Sequence, residues 1–242
     1  MLNQLASLPD YTVRVHHRAK RLLLKITPFG EIEVVVPKRF NKRLVPEFVA
    51  THRDWIEKNL AKLAQRHVNN PGGYAAIPTE IPLRAIGITV NVQRTETNSP
   101  TPTLHFDRNA NTLHLNTSDP EIAGRLLQRW LNGVGKDILV PWIHGVSKEL
   151  ELPFDRATVR LQRSRWGSCS VLRHINLNHN LLFVPSELVR YLFIHELCHT
   201  RHMDHSATYW QLVASIEPRY QILERELYRA TEWVPLWAFR KF

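Results

Sequence analysis

Residues 195–205 read HELCHTRHMDH, and no other stretch restricts so tightly what the chain can fold into. His195 and His199 stand at i and i+4, a spacing that stacks two imidazoles on one face of a helix. Two neutral imidazoles supply half of a tetrahedral zinc shell. Glu196, beside the first of them, can reach a metal-bound water as general base. His205 follows six residues after His199, so it joins the same point only if the chain leaves the helix and turns back. Asp204 is a residue that helps make such a turn. Three protein ligands with a fourth position open describe a catalytic zinc site, with one Zn2+ per chain, rather than a structural one.

The plain alternative is a His-rich solvated helix, since the chain carries 13 His in 242 residues. The approach Leu188-Val189-Arg190-Tyr191-Leu192-Phe193-Ile194 speaks against it. That run is largely apolar and reads as a buried helix, on which imidazoles and a carboxylate need a partner. For the third ligand, His202 at i+3 from His199 demands that the helix continue, while Glu217 or Glu224 would bring it from a downstream helix. His205 is the preferred reading.

The surrounding residues carry a resemblance. Ser164-Arg165-Trp166-Gly167-Ser168-Cys169-Ser170, then Ile175-Asn176-Leu177-Asn178, then HELCH, then His205-Ser206 and Tyr209-Trp210 resemble the YgjP-like, SprT-related zinc metallopeptidases. Their pattern is R-W-G-S-C, an extended stretch, an H-E-L-x-H helix, and N-H-S before an aromatic pair. The match is close over the C-terminal half. It is weaker over Arg18, Ile26-Thr27-Pro28-Phe29-Gly30, Val36-Pro37 and Trp55-Ile56. The resemblance implies that His195, His199 and His205 hold zinc and that Glu196 is the catalytic acid/base. Asp204 departs from the usual Asn before the third His. The spacing also equals that of metzincins, but His202 stands where those have a turn glycine.

The net charge of +10, from 32 Lys and Arg against 22 Asp and Glu, favours acidic partners such as nucleic acid or nucleotides, or describes no more than a soluble basic protein. Cys169 and Cys198 are the only cysteines and form no C-x-x-C pair, so a zinc ribbon is excluded. A disulfide between them is not required, and reducing cytosol is the default setting. Residues 1–10 lack the basic and apolar parts of a secretion signal, and no stretch has the length of a membrane span. The expected location is the cytoplasm.

In chain order, strands are expected at 11–15, within 21–26 and at 31–36, the last two joined as a hairpin by Pro28-Phe29-Gly30. Arg14, Arg18, Lys20, Arg21, Lys25, Lys38, Arg39, Lys42 and Arg43 flank them, as a phosphate-facing surface or, more simply, a solvated face. Residues 46–64 read as an amphipathic helix with Phe48, Val49, Trp55, Ile56 and Leu60 inward, followed by a linker near 68–74. Further strands are expected at 80–83, 88–92, 104–106 and 113–115, with a polar loop at 95–103. A long helix begins at Pro120 and is kinked or interrupted at Pro141, with helical pattern resuming over 142–150. Residues 158–161 and 176–183 then read as strands, 185–201 as the metal helix, and 206–231 as a last helix broken at Pro218.

The expected fold class is α+β. A β-rich N-terminal region with one helix (1–118) precedes a helical, zincin-like catalytic region with a small antiparallel sheet (119–242).

These readings converge on a protein or peptide substrate. Glu196 takes a proton from the metal-activated water and returns it to the leaving amine. Arg165, Arg201, Tyr209 and Tyr220 are candidates for a second oxyanion donor. Trp166 and its neighbours either border an extended substrate on a strand edge or pack under the metal helix. Two other classes stay open: a metal-dependent nucleotide phosphoanhydride hydrolase, for which no Walker-type glycine loop is present, and a DNA-associated protein with an incidental zinc site.

Overall fold

Period-two alternation in the first forty residues gives β1 (Tyr11–Val15), β2 (Leu23–Ile26) and β3 (Ile32–Val36). The computed structural model describes residues 8–27, 29–68, 77–95, 101–162 and 165–239. β3 is central, parallel to β1 and antiparallel to β2. The β2–β3 hairpin forms as expected, with Gly30 at φ +82°, a conformation that glycine adopts without strain. Ile32, Val34 and Val36 pack with Val45, Val49 and Ile56 of α1 (Val45–Thr51) and α2 (Arg53–Val68) into a small core.

The single helix expected over 46–64 is thus two helices. His52 breaks it with φ −102° and ψ 16°, its ring Nδ1–H donating to the Phe48 carbonyl at 2.8 Å. Ile56 is fully buried as expected, while Trp55, also expected inside, is 44% exposed. Residues 69–74 of the expected linker lie outside the described residues.

Contacts group the chain into Met1–Gly73 and Tyr74–Phe242. The second unit opens with β4 (Glu80–Leu83), β5 (Ile88–Arg94), β6 (Thr103–Asp107) and β7 (Thr112–Asn116), ordered β4-β5-β7-β6. This sheet, grouped above with the N-terminal region, buries Ile81, Leu83, Val90, Leu113 and Leu115 in one core with the helices that follow. Its single apolar face is closed by them.

First comes α3 (Pro120–Glu149). Asp119 caps it, accepting from the N–H groups of Glu121 (2.7 Å) and Ile122 (3.3 Å), a cap worth about 1 kcal/mol. The helix runs through Pro141 without the expected interruption. Leu139 and Ile143 are fully buried on either side of it, and that packing outweighs a proline penalty of about 3 kcal/mol.

The part that carries the site contains β8 (Arg156–Arg160), β9 (Gly167–Cys169), β10 (His174–Asn178), α4 (Ser186–Cys198), α5 (Ala207–Ile216) and α6 (Tyr220–Arg229). Its sheet is mixed rather than purely antiparallel. β9 passes to the far side of β10, which leaves β10 parallel to β8. The strand expected to run to residue 183 ends at Asn178, whose Oδ1 accepts from the Asn180 N–H and starts a 3-10 turn over His179–Phe183. All five of those residues are buried, so no alternation was present to mark the change. The last helix divides into α5 and α6 around Pro218, as expected. Cys169 and Cys198 are free thiols. Among the described residues no helix is long and apolar enough to cross a membrane.

Candidate metal centre

α4 is buried over most of its surface: Leu188, Val189, Tyr191, Leu192, Phe193, Ile194, Leu197 and Cys198 are all in the core, while Ser186, Glu187 and Arg190 reach outward, the last two to ion pairs with Arg219 and Glu149. Phe193 meets Trp142 of α3 edge to face at 5.2 Å. His195 and Glu196 lie in the last turn of this helix, and His199 is its C-terminal cap. The chain then leaves the helix through tight bonds from the N–H groups of Thr200, Arg201 and His202 to the carbonyls of Leu197 and Cys198. Asp204 Oδ1 accepts from the Ser206 N–H at 3.2 Å, a task an Asn side-chain carbonyl performs equally well. The turn returns His205 to the helix end.

One ring nitrogen each from His195, His199 and His205 lie within 4.8 Å of one another. The Nε2 atoms of His195 and His205 are 3.4 Å apart. His199 Nδ1–H donates to the His202 carbonyl at 2.9 Å, which fixes its tautomer and leaves Nε2 as the lone-pair nitrogen. On the far side of His195, Glu224 Oε2 lies 3.8 Å from Nδ1 and accepts a hydrogen bond from Tyr191. Burial lowers the His195 pKa to about 3, with His199 and His205 adding to the effect, and burial lowers His199 as well. Both rings are held neutral, the form that ligates a metal.

Glu196 is 4% exposed. Burial pushes its carboxyl up to about 8, while the charge of Arg165 and the backbone N–H of Cys169 favour the ionised form. It lies against β9. A Cβ added at Gly167 would stand 2.6 Å from Glu196 Oε1 and 2.9 Å from its Cγ. Close backbone approach, not a positive φ, is therefore what this glycine provides.

Among the described residues β9 pairs with β10 along one edge only. The bonds Ser170 N–H to His174 O (3.0 Å) and Asn178 N–H to Trp166 O (2.8 Å) set which residues face β10. With Ser168 opposite Asn176 in that register, the N–H and C=O groups of Gly167 and Cys169 point to the open edge, at the carboxylate of Glu196.

The other expected contacts separate. Tyr209 is fully buried, its ring stacked on His199 at 4.5 Å and its hydroxyl donating to the His195 carbonyl at 3.1 Å. That proton is committed, so Tyr209 braces the site. Trp166 donates its indole N–H to the Leu227 carbonyl at 3.1 Å and ties the β9 segment to α6. Tyr220 stacks on Trp210 at 5.4 Å, and Trp210 in turn borders His205 at 5.7 Å. Arg165 is exposed, with its charge felt at Glu196. Arg201 is exposed at the start of the turn.

Of the alternative ligands, His202 contributes its backbone carbonyl, and Glu217 Oε1 accepts from the Arg219 N–H at 3.1 Å. Glu224 stands behind His195. The Glu224–Tyr191 support was not anticipated, since sequence spacing carries no sign of a contact 33 residues away. Both cysteines are shielded: burial raises Cys169 to about 11 and Cys198 to about 12, which leaves them as thiols.

Residues 20–230 match the family model described as YgjP-like, metallopeptidase domain. No curated protein matches the chain. Among solved structures, the metallopeptidase zymogen of Pyrococcus abyssi abylysin is similar at 20% identity and a TM-score of 0.35, over 39% of this chain and 96% of that one.

Proposed function

This chain belongs to the YgjP-like metallopeptidase family, and on that premise we propose that it hydrolyses peptide bonds in extended polypeptides, with His195, His199 and His205 holding one Zn2+ and Glu196 as general base. The observation that carries this reading is the three-imidazole cluster with Glu196 beside it, set under the open edge of β9.

The residues fit the ion. Two nitrogens bound tetrahedrally to one zinc at 2.0–2.1 Å lie about 3.3 Å apart, and His195 Nε2 and His205 Nε2 are separated by 3.4 Å. Two of the three ligand rings are backed in a way that suits binding: His199 by the His202 carbonyl and His195 by Glu224. When bound, zinc lowers the pKa of a water and polarises a carbonyl.

The chain's own groups do the rest. The outward N–H and C=O groups of Gly167 and the outward C=O of Cys169, whose N–H is held by Glu196, take the substrate backbone as an added strand. Glu196 accepts a proton from the attacking water and delivers it to the amine that leaves. Tyr209 has its hydroxyl engaged, which leaves Arg165, Arg201 and Tyr220 as candidates to meet the oxyanion, with Arg165 the one whose charge reaches Glu196.

Glu196→Gln keeps size and hydrogen bonding but cannot accept the proton. Zinc stays bound, and hydrolysis of a denatured protein falls by roughly 10² to 10⁴. A variant that released zinc, yet worked normally once reloaded, would make Glu196 a prop and refute this mechanism.

A further inference from the structure

β1 and β3 run parallel and β2 runs against them, with Val15 opposite Val36 and Leu23 opposite Val35. The segment that leaves β1 for β2 (16–22) and the segment that follows β3 (37–44) therefore emerge from the same end of the sheet. His16 N–H donates to the Val36 carbonyl at 2.9 Å and joins them there. Both are tightly folded: Ala19 N–H returns to the His16 carbonyl at 3.0 Å, and Phe40 N–H to the Pro37 carbonyl at 3.1 Å. The first segment carries Arg18, Lys20 and Arg21, the second Lys38, Arg39, Lys42 and Arg43, and neither contains an Asp or Glu. All seven cations are exposed, and among the described residues none is in an ion pair. Carboxylates stand at the opposite end, where Asp10 and Glu31 precede β1 and β3. Like charges gathered in this way repel one another, so they work against the fold rather than for it.

We propose that this end of the sheet is a docking surface for duplex DNA, held through its phosphates without reading bases. The inference goes beyond the peptidase reading and does not depend on the metal centre. Three strands about 4.8 Å apart make an end about 10 Å across. A duplex carries one charge per about 1.7 Å of its axis, so that width meets about six phosphates. An extended acidic peptide offers at most one charge per residue, about one per 3.3 Å. Single strands are held by stacking bases on aromatic rings, and the one aromatic ring of these segments, Phe40, packs with Leu22 against the small core. Duplex RNA is told from DNA by hydrogen bonds to its 2′-hydroxyls, and the one amide here, Asn41, is engaged by the Arg43 N–H at 3.1 Å. A membrane surface calls for large apolar side chains projecting among the cations. Leu44, Val15 and Leu23 stand nearest in sequence, and each is less than half exposed.

The test uses the whole zinc-loaded chain and short labelled duplexes of mixed sequence, with binding followed by fluorescence anisotropy as salt is raised. The parent binds the DNA duplex with a log–log salt slope of about −5, as about six neutralised phosphates require. Arg18→Gln/Arg21→Gln/Arg39→Gln/Arg43→Gln weakens binding at least about tenfold and flattens the slope by about 3 to 4. The same loss of charge on exposed positions of α3, Arg125→Gln/Arg129→Gln/Lys136→Gln/Lys148→Gln, leaves affinity and slope near the parent's. A readout that needs no variant is amine modification mapped by mass spectrometry: the duplex shields Lys20, Lys38 and Lys42 and leaves Lys136 and Lys148 reactive. No duplex binding by the parent, equal losses in the two variants, or full reactivity of the three shielded lysines overturns the surface. Tighter binding to a single strand or to duplex RNA overturns its assignment to duplex DNA. Capture on phosphatidylserine vesicles that the four loop substitutions abolish, without duplex binding, assigns the surface to a membrane and overturns the proposal as well. Each of these outcomes leaves the peptidase reading standing.

Discussion

Gly167→Ala is the most exacting test of how the general base is placed. The new methyl carbon would sit 2.6 Å from Glu196 Oε1, 2.9 Å from Cγ and 3.0 Å from Cδ, whereas ordinary contact begins at 3.4 Å. The oxygen must retreat by about 0.8 Å, and the crowding at Cγ means that rotating the carboxylate alone does not relieve it. A displacement of about 1 Å in a catalytic constellation costs on the order of 10² in rate, below the ceiling set by losing the base altogether. We expect kcat on an unfolded substrate to fall about 10²-fold, equivalent to about 2.7 kcal/mol. Zinc content should stay at one per chain, because no ligand nitrogen is touched. The control is the same substitution on a Glu196→Gln background. With the base already removed, misplacing it changes nothing further, so the two losses do not multiply. Parent-like kcat in Gly167→Ala, or full multiplication in the double variant, would show that the contact between β9 and Glu196 does not position the base.

Two further outcomes are expected. His205→Ala should lose most of its zinc while unfolding as cooperatively as the parent, since His205 is an exposed residue outside the core; full zinc retention would remove it as third ligand. The first unit, residues 1–73, holds 13 Lys and Arg against 6 Asp and Glu, a net of +7 out of the chain's +10. If that charge serves nucleic acid, reversing Lys20, Arg21, Lys38 and Arg39 weakens binding and flattens its salt dependence without altering zinc content, and a parent that binds no nucleic acid ends the idea.

The metal cluster was legible in the sequence because its parts are local. His195 and His199 are joined by helical periodicity, and His205 by a short turn with an acceptor at Asp204. The strands and most helices were legible for the same reason, each having a period or a cap of its own. What escaped depended on contacts across the chain. The hydroxyl of Tyr209 could not be assigned to the His195 carbonyl, nor the indole of Trp166 to Leu227, from any spacing. Burial also erased signals. Residues 179–183 are enclosed on all sides, so the 3-10 turn there shows no alternation that would mark it off from the strand before it. His52 ends a helix with its ring bonded to the Phe48 carbonyl, a choice that an amphipathic pattern does not record. Pro141 failed to break one because neighbours on both sides were already committed to the core.

The pairing of β9 with β10 also limits how this chain can vary in length. Gly167 and Cys169 face outward only because Ser168 faces inward, opposite Asn176. Deleting or inserting a single residue in the turn from Ser170 to Arg173 reverses that parity. Ser168 then turns its backbone to the site, and a residue with a side chain is pressed onto Glu196 in place of the glycine. A two-residue change restores parity but moves the glycine off the carboxylate. Working variants of this chain should therefore accept gaps freely in the polar loop after β5 and almost none in the short turn that joins β9 to β10.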